Sequence, residues 1–236
     1  MGLLFGNKNN IKYWDKKAKQ YKDKPEATIN DVYFRLVEIE AMNLWIKDSD
    51  KVLDVGCGNG WGSKQLKGKV LGIDLSKEMI TQAGKGFEVG DIMDLSKYYG
   101  KYDVVVCNRV LINLPSEKDQ IHALVELKKC YKKYLIITEV TKQGRNNINE
   151  LRKIFGLKPI KKHWHNLYVD EKIMKGWEKR ECYPIYQTIS KVIYPYALKQ
   201  TGDPEFLNEV NEIAWKIQGL NGRYLLAGHQ VTFLYD

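Results

Sequence analysis

Five short apolar runs alternate with helix-forming stretches along the first two-thirds of the chain, and this alternation restricts the fold more than any other feature. Residues 51–55, 70–73, 87–89, 102–107 and 135–137 read as strands. Val104-Val105-Val106 is apolar at successive positions, which suits a strand buried on two faces rather than one. Helices are expected over 26–46, from the first glycine-rich turn to about Leu66, after Ser76 as N-cap, from Glu117 to about Tyr131, and over 146–155. Strands separated by helices pair in parallel, with helices covering both faces. The reading is an α/β fold with a doubly wound, mostly parallel, seven-stranded sheet. A sixth strand is expected over 158–168 and a last one over 231–235, with helices over 170–228 as a C-terminal insertion.

The chain has 236 residues, which allows one such domain and excludes two. Net charge is +9. Lysines such as Lys16, Lys17, Lys128, Lys129, Lys161 and Lys162 are scattered, so they read either as solvated faces or as a surface that attracts anions. Cys57, Cys107, Cys130 and Cys182 form no Cys-x-x-Cys pair. A metal clamp or disulfide framework is therefore not expected, and the thiols read as reduced. No apolar run is long enough to span a bilayer and none reads as a secretory leader, so a cytoplasmic location is expected.

The loop after the first strand carries the chemistry. Val52-Leu53-Asp54-Val55-Gly56-Cys57-Gly58-Asn59-Gly60 delivers a strand to a turn in which three glycines let backbone approach a ligand. The expected helix beyond it would present free N–H groups to an anion. Such a loop alone also suits a dinucleotide. Asp74 ends the second strand, roughly twenty residues beyond Asp54, where a carboxylate accepts both hydroxyls of a ribose. Gly90-Asp91-Ile92 follows the third strand and offers a carboxylate and a backbone N–H to an adenine edge. The acidic residue before the first glycine repels a pyrophosphate but attracts the ammonium of an amino acid.

This combination resembles the class I S-adenosylmethionine-dependent methyltransferases. The loop resembles their first motif, Gly72-Ile73-Asp74-Leu75-Ser76 with Met79-Ile80 the acidic motif, and Gly90-Asp91-Ile92 the adenine-contacting motif. Asp103-Val104-Val105-Val106-Cys107-Asn108 resembles the fourth-strand motif, and Leu135-Ile136-Ile137-Thr138-Glu139 the fifth strand. The resemblance covers about residues 50–140 and implies S-adenosylmethionine as cofactor, with S-adenosylhomocysteine as product. It implies that Asp54, Gly56, Cys57, Gly58, Asn59 and Gly60 hold the methionine part. Asp74 would hold the ribose, Leu75 and Met79 the adenine face, and Asp91 and Ile92 the adenine edge. Asn108 and Arg109 would lie beside the sulfonium, with Tyr13 and Arg35 adding contacts from the N-terminal region. The implied organisation is a single domain: 1–46 an N-terminal helical cover, 47–168 the cofactor-binding core, 169–228 a helical lid or insertion, and 229–236 the last strand.

The end of the fourth strand reads Asn108-Arg109-Val110-Leu111. It lacks the Asn/Asp-Pro-Pro-aromatic run seen where base nitrogens are methylated, and Cys107 lacks the preceding proline of cytosine-C5 enzymes. A nucleic-acid acceptor is therefore not expected. The flanking segments Pro25-Glu26-Ala27-Thr28, Phe34-Arg35, Asn149-Glu150-Leu151-Arg152 and His163-Trp164-His165-Asn166-Leu167-Tyr168 resemble methyltransferases of bacterial surface-glycan and small-molecule gene clusters. The expected activity is methyl transfer to an oxygen of a small-molecule or glycan-precursor acceptor, by a monomer or homodimer. An RNA or protein acceptor, or a cofactor-binding module without turnover, are the alternatives. A hydroxyl acceptor needs a base. His163 and His165 would share one face of the expected sixth strand, and Glu139 is a second candidate. Arg35, Arg109, Arg145 and Arg152 either clamp an anion on the substrate or the cofactor carboxylate, or make surface ion pairs. Trp177, Tyr183, Tyr186, Tyr194, Tyr196 and Trp215 supply either a lid, a dimer surface or core for the added helices.

Overall fold

A computed structural model describes residues 8–180, 184–201 and 230–235. Cys182, Tyr183, Trp215 and the remainder of 202–229 lie outside them. Seven strands form one sheet: β1 (Lys51–Val55), β2 (Lys69–Asp74), β3 (Phe87–Val89), β4 (Tyr102–Asn108), β5 (Tyr131–Val140), β6 (Glu178–Arg180) and β7 (Gln230–Tyr235). Their order is β3-β2-β1-β4-β5-β7-β6. Six strands share one direction, and β7 runs against its neighbours β5 and β6. From β1 the chain winds outward through β2 to β3, then crosses back to β4 and β5. The β1–β4 boundary is thus the switch point at whose carboxyl end a crevice forms.

Strand alternation divides the apolar side chains between two cores. Leu53, Val55, Val105, Cys107, Leu135 and Ile137 face one side, packed with Leu124 and Leu127 of α4 (Glu117–Lys128). Val52, Val104, Val106 and Ile136 face the other, against Ile39, Met42 and Ile46 in and just beyond α2 (Val32–Asn43). Both faces are therefore covered, as the uniformly apolar strands require. α3 (Lys77–Ala83) starts at the expected cap, with Ser76 Oγ accepting from the Met79 amide at 3.1 Å.

Four expectations are corrected. The single helix over 26–46 is a 3₁₀ turn, Pro25–Ala27, followed by α2, because Asp31 caps α2 through the Phe34 amide. The helix after the first loop is only the 3₁₀ turn Ser63–Gln65: Gly60 and Gly62 disfavour helix, and the Ser63 hydroxyl is committed to Asp54. The loop consequently borrows no helix N-terminus. Residues 158–168 form no strand, because β7 occupies the edge of β5 along Leu135–Val140 and leaves no ladder there. The sixth strand is β6, inside the stretch read as helical. The C-terminal segment also contains α6 (Pro184–Thr188), a π-helical turn Ile189–Ile193 and α7 (Tyr194–Thr201). α1 (Lys8–Tyr21) and α5 (Lys142–Ile154) complete the described helices. Among the described residues no helix is long and apolar enough to cross a membrane.

Candidate active site

The β1 loop lies on the end of β2 through backbone hydrogen bonds. Gly56 and Cys57 both donate to the Ile73 carbonyl, at 2.8 and 3.0 Å. Gly56, Gly58 and Gly60 all have positive φ, at 78°, 57° and 73°, which glycine tolerates at little cost. A Cβ on Gly56 would overlap Val110 Cγ2, and one on Gly58 would sit 2.5 Å from Thr28 Cγ2. Neighbouring segments thus press on the loop from two sides, and only bare backbone fits between them.

Asp74 ties the loop to the next turn. One carboxylate oxygen accepts from the Gly58 amide at 2.9 Å and the other from the Ser76 amide at 2.9 Å. Burial raises its pKa to about 6, against the pull of those two bonds. Asp91 accepts from the Met93 amide at 2.9 Å and stands beside buried Ile92. α1 closes over this end: Ser76 Oγ donates to Asp15 at 2.5 Å, and Asn10 donates to the Asn113 carbonyl at 2.8 Å.

A cavity of about 710 Å³ opens where these elements meet, within the range of ligand pockets. Tyr13, Arg35, Gly56, Cys57, Gly58, Asp74, Leu75, Met79, Asp91, Ile92, Asn108 and Arg109 all line it, and so do His163 and His165. The two histidines come together without a strand. Their rings stack with centroids 5.7 Å apart, on a turn held by the Leu167 amide donating to the Ile112 carbonyl at 2.6 Å. His165 packs against Tyr13 at 4.6 Å and Trp14 at 5.7 Å. Burial, and then the charge of His163, lower its pKa, which favours the neutral ring.

Four candidates do not line the cavity. Asp54 is buried and accepts the Ser63 hydroxyl, so it orders the loop from beneath. Asn59 donates to the carbonyls of Lys22 and Lys24, at 2.8 and 2.7 Å, and fastens the N-terminal cover. Gly60 makes room for Phe87, whose Cζ would lie 2.8 Å from a Cβ there. Glu139 is fully buried and accepts from the Leu111 amide at 2.6 Å. Burial raises its pKa to about 8, so it supports the turn after β4 instead of facing an acceptor.

Behind the cavity wall, Glu38 holds two guanidiniums, Arg35 at 3.1 Å and Arg109 at 3.3 Å, and accepts from Asn108 at 3.1 Å. Arg109 needs a positive φ of 57° to reach it. The sequence reading missed several lining residues: Asn10, Lys17, Thr28, Asp31, Ser190 and Lys191. Asp31 accepts from Tyr186 and Ser190 and pairs with Lys191 at 3.1 Å, which joins the C-terminal helices to α2. Its place as a helix cap was the one available signal. Many buried polar atoms without a partner belong to lining residues, among them Asn10 Oδ1, Asn108 Oδ1, Asn113 Oδ1, Arg145 Nε, His165 Nδ1 and Asn166 Oδ1. Buried polar groups ordinarily find partners, so this chamber is built for a polar ligand.

Comparison with known proteins agrees with the strand order. The methyltransferase-domain family matches residues 46–188. An uncharacterized protein of Methanocaldococcus jannaschii is 45% identical over 67 residues, 28% of this chain and 25% of that one. A ubiquinone biosynthesis O-methyltransferase of Pseudoalteromonas translucida is 31% identical over 119 residues, 45% of this chain and 49% of that one. The chain thus spans between 25% and 49% of the length of these two relatives. Among solved structures, a chain of the complex between the Haloferax volcanii Trm112 methyltransferase activator and a methyltransferase superposes with a TM-score of 0.58 at 15% identity, covering 94% of this chain and 96% of that one. The magnesium protoporphyrin IX methyltransferase of Synechocystis, solved with S-adenosylhomocysteine, gives 0.51 at 23% identity, covering 74% and 87%. These two likenesses carry the fold alone. The family match takes in more than half of the chain, from just before β1 to the end of α6, and by it the chain belongs to the class I S-adenosylmethionine-dependent methyltransferases.

Proposed function

We propose that the chain moves a methyl group from S-adenosylmethionine to an oxygen of a small-molecule or glycan-precursor acceptor, in the cytoplasm, with His165 receiving the displaced proton. The observation that carries this reading is a single cavity lined at once by the glycine loop, Asp74 and Asp91 and by the histidine pair. The loop fits the cofactor because its three positive-φ glycines leave a strip of backbone that side chains would fill. Gly56, Cys57 and Gly58 would take the methionine part, with Asn108 and Arg109 beside the sulfonium and Arg35 near the carboxylate. Asp74 would take the ribose, Leu75 and Met79 the adenine face, and Asp91 and Ile92 its edge.

When bound, the cofactor supplies a methyl already activated on a sulfonium, so the protein's task is placement and exclusion of water. α1 serves that task by roofing the chamber through the Asn10 bond to Asn113. His165 suits the role of base: burial favours its neutral form, its Nδ1 is buried without a partner, and Tyr13 and Trp14 pack against its ring. His163 stands behind it as the second ring of the stack. The segment 184–201, tied to α2 through Asp31, acts as a wall or lid over the acceptor. The name of the Pseudoalteromonas relative, an O-methyltransferase, supports oxygen as the atom modified. The flanking-segment resemblance supports an acceptor from bacterial small-molecule or surface-glycan synthesis.

The test is incubation of the full chain with methyl-labelled S-adenosylmethionine and a metabolite extract, separated afterwards into small-molecule, glycan, RNA and protein fractions. Label in the first two fractions is expected. Label in RNA or protein overturns the acceptor class, and bound cofactor with no label anywhere favours a module without turnover.

A further inference from the structure

The charges around the cavity are unevenly balanced. Asp74 and Asp91 stand at the loop end. Arg35 and Arg109 share Glu38, and Lys191 pairs with Asp31. Lys17 of α1 lies over the Tyr21 ring at 4.2 Å, and the other lining cations lie on α5 and the segment after it. Arg145 and Arg152 lie two helical turns apart on α5, which brings both to one face, and both line the cavity together with Lys161. Among the described residues none of these three has a carboxylate within ion-pair distance.

Arg145 is the telling member. It is only 8% exposed, so its charge is largely out of water. The Tyr168 hydroxyl accepts from Nη2 at 2.6 Å and its ring centroid lies 4.8 Å from the guanidinium carbon, while Nε has no partner. Arg152 gives its Nε to the Lys158 carbonyl at 2.9 Å and Nη1 to the Lys191 carbonyl, which fixes its plane without neutralising it. Burial, together with the neighbouring Arg145 charge, lowers the pKa of Arg152, so the two cations disfavour each other. A buried cation without an anion is costly, and the planar fork of arginine is suited to a carboxylate or phosphate.

We infer that Arg145, with Arg152 and Lys161, forms an oxyanion subsite that receives a carboxylate or phosphate group carried by the methyl acceptor. The inference rests on the methyltransferase reading for the word acceptor, but the subsite is defined by its own residues. Its residues come from α5 and the segment after it, whereas Arg35, which packs on Gly62 beside the first loop, is held by Glu38.

The experiment titrates the full chain with benzoate, phenyl phosphate and benzyl alcohol, with and without saturating S-adenosylhomocysteine. Aromatic probes are chosen because Tyr13, Trp14 and His165 form one wall of the chamber. At least one anion is expected to bind about tenfold or more tighter than benzyl alcohol, the scale of one charge-assisted bond. Preference for benzoate identifies a carboxylate, and preference for phenyl phosphate a phosphate. Arg145→Gln should bring the anion down to the level of the alcohol, and Arg145→Lys should restore part of the difference. Without ligand, Arg145→Gln should leave Tm unchanged or raised, because it removes an unpaired buried charge. A purely structural hold on Tyr168 would instead lower it. Equal affinity for all three probes, anion binding indifferent to Arg145, or anion displacement by S-adenosylhomocysteine each overturns the subsite. Failure of S-adenosylhomocysteine to bind counts against the methyltransferase reading alone, since the titrations without it still decide the subsite.

Discussion

The Asp74 carboxylate accepts the Gly58 amide at 2.9 Å, so the end of β2 and the glycine loop form one continuous edge of the cavity. Two of its four lone-pair positions are spent on Gly58 and Ser76. The others remain for the hydroxyls of a ribose. Asp74→Ala should weaken S-adenosylhomocysteine binding by about 2 kcal/mol, measured by calorimetry. Unchanged affinity in a folded variant would reduce Asp74 to a splint for the loop.

The same residue sets a pH dependence. In the free protein its pKa is raised to about 6, chiefly by burial. A protonated carboxyl cannot accept from two hydroxyls, so cofactor affinity should hold above pH 6 and fall as pH drops through it, by up to tenfold per pH unit. Stability of the free protein runs the opposite way. Below the ordinary carboxylate range Asp74 is neutral whether folded or not. As pH rises toward 6 the unfolded chain ionises first, and the contribution of Asp74 is progressively lost. A flat affinity profile between pH 5 and 8 would contradict the role assigned to Asp74.

Gly56→Ala should destabilise the fold by about 2–4 kcal/mol, since it combines a positive φ of 78° with overlap on Val110. Adding Val110→Ala should recover the steric part but not the backbone part. Denaturant midpoints of the two variants separate the terms. A single variant as stable as the natural chain would show that the loop is not gripped from both sides.

Removing the charge of Glu38 should be worse than removing either partner. Glu38→Gln leaves Arg35 and Arg109 facing each other in a buried site, and a loss of about 3 kcal/mol is expected in urea unfolding. Little change in midpoint would mean that water compensates both guanidiniums.

His165→Asn should lower kcat by about 10²-fold or more once the acceptor is identified, and it should remove the acidic limb of the pH–rate profile. His163→Asn should keep that limb. The reverse pattern would assign the proton transfer to His163.

How much of this was legible in the sequence follows from distance along the chain. The loop, Asp74 and Asp91 lie at successive strand ends, and parallel pairing brings such ends together; strand pattern and motif therefore located them. Asp54 sits in the same motif, yet its side chain turns beneath the loop to Ser63, a contact made by the curl of a single 3₁₀ turn. Asn59 was read as a ligand residue because its neighbours are. Its partners, the carbonyls of Lys22 and Lys24, come from a cover whose path no local pattern encodes. The histidines illustrate both limits. Their place on the cavity agrees with the expectation, but the strand invoked for them does not exist, since β7 had already claimed the edge of β5. Asp31, Ser190 and Lys191 meet across about 160 residues, and nothing in their own surroundings announces it.

The shared chamber is the central claim, and an experimental structure of the full chain with S-adenosylhomocysteine measures it directly. The account predicts ribose hydroxyls on Asp74, the adenine edge at Asp91 and Ile92, and the sulfur facing an open space bounded by His165 and Arg145. A ligand bound elsewhere, or a wall between the sulfur and His165, would contradict it.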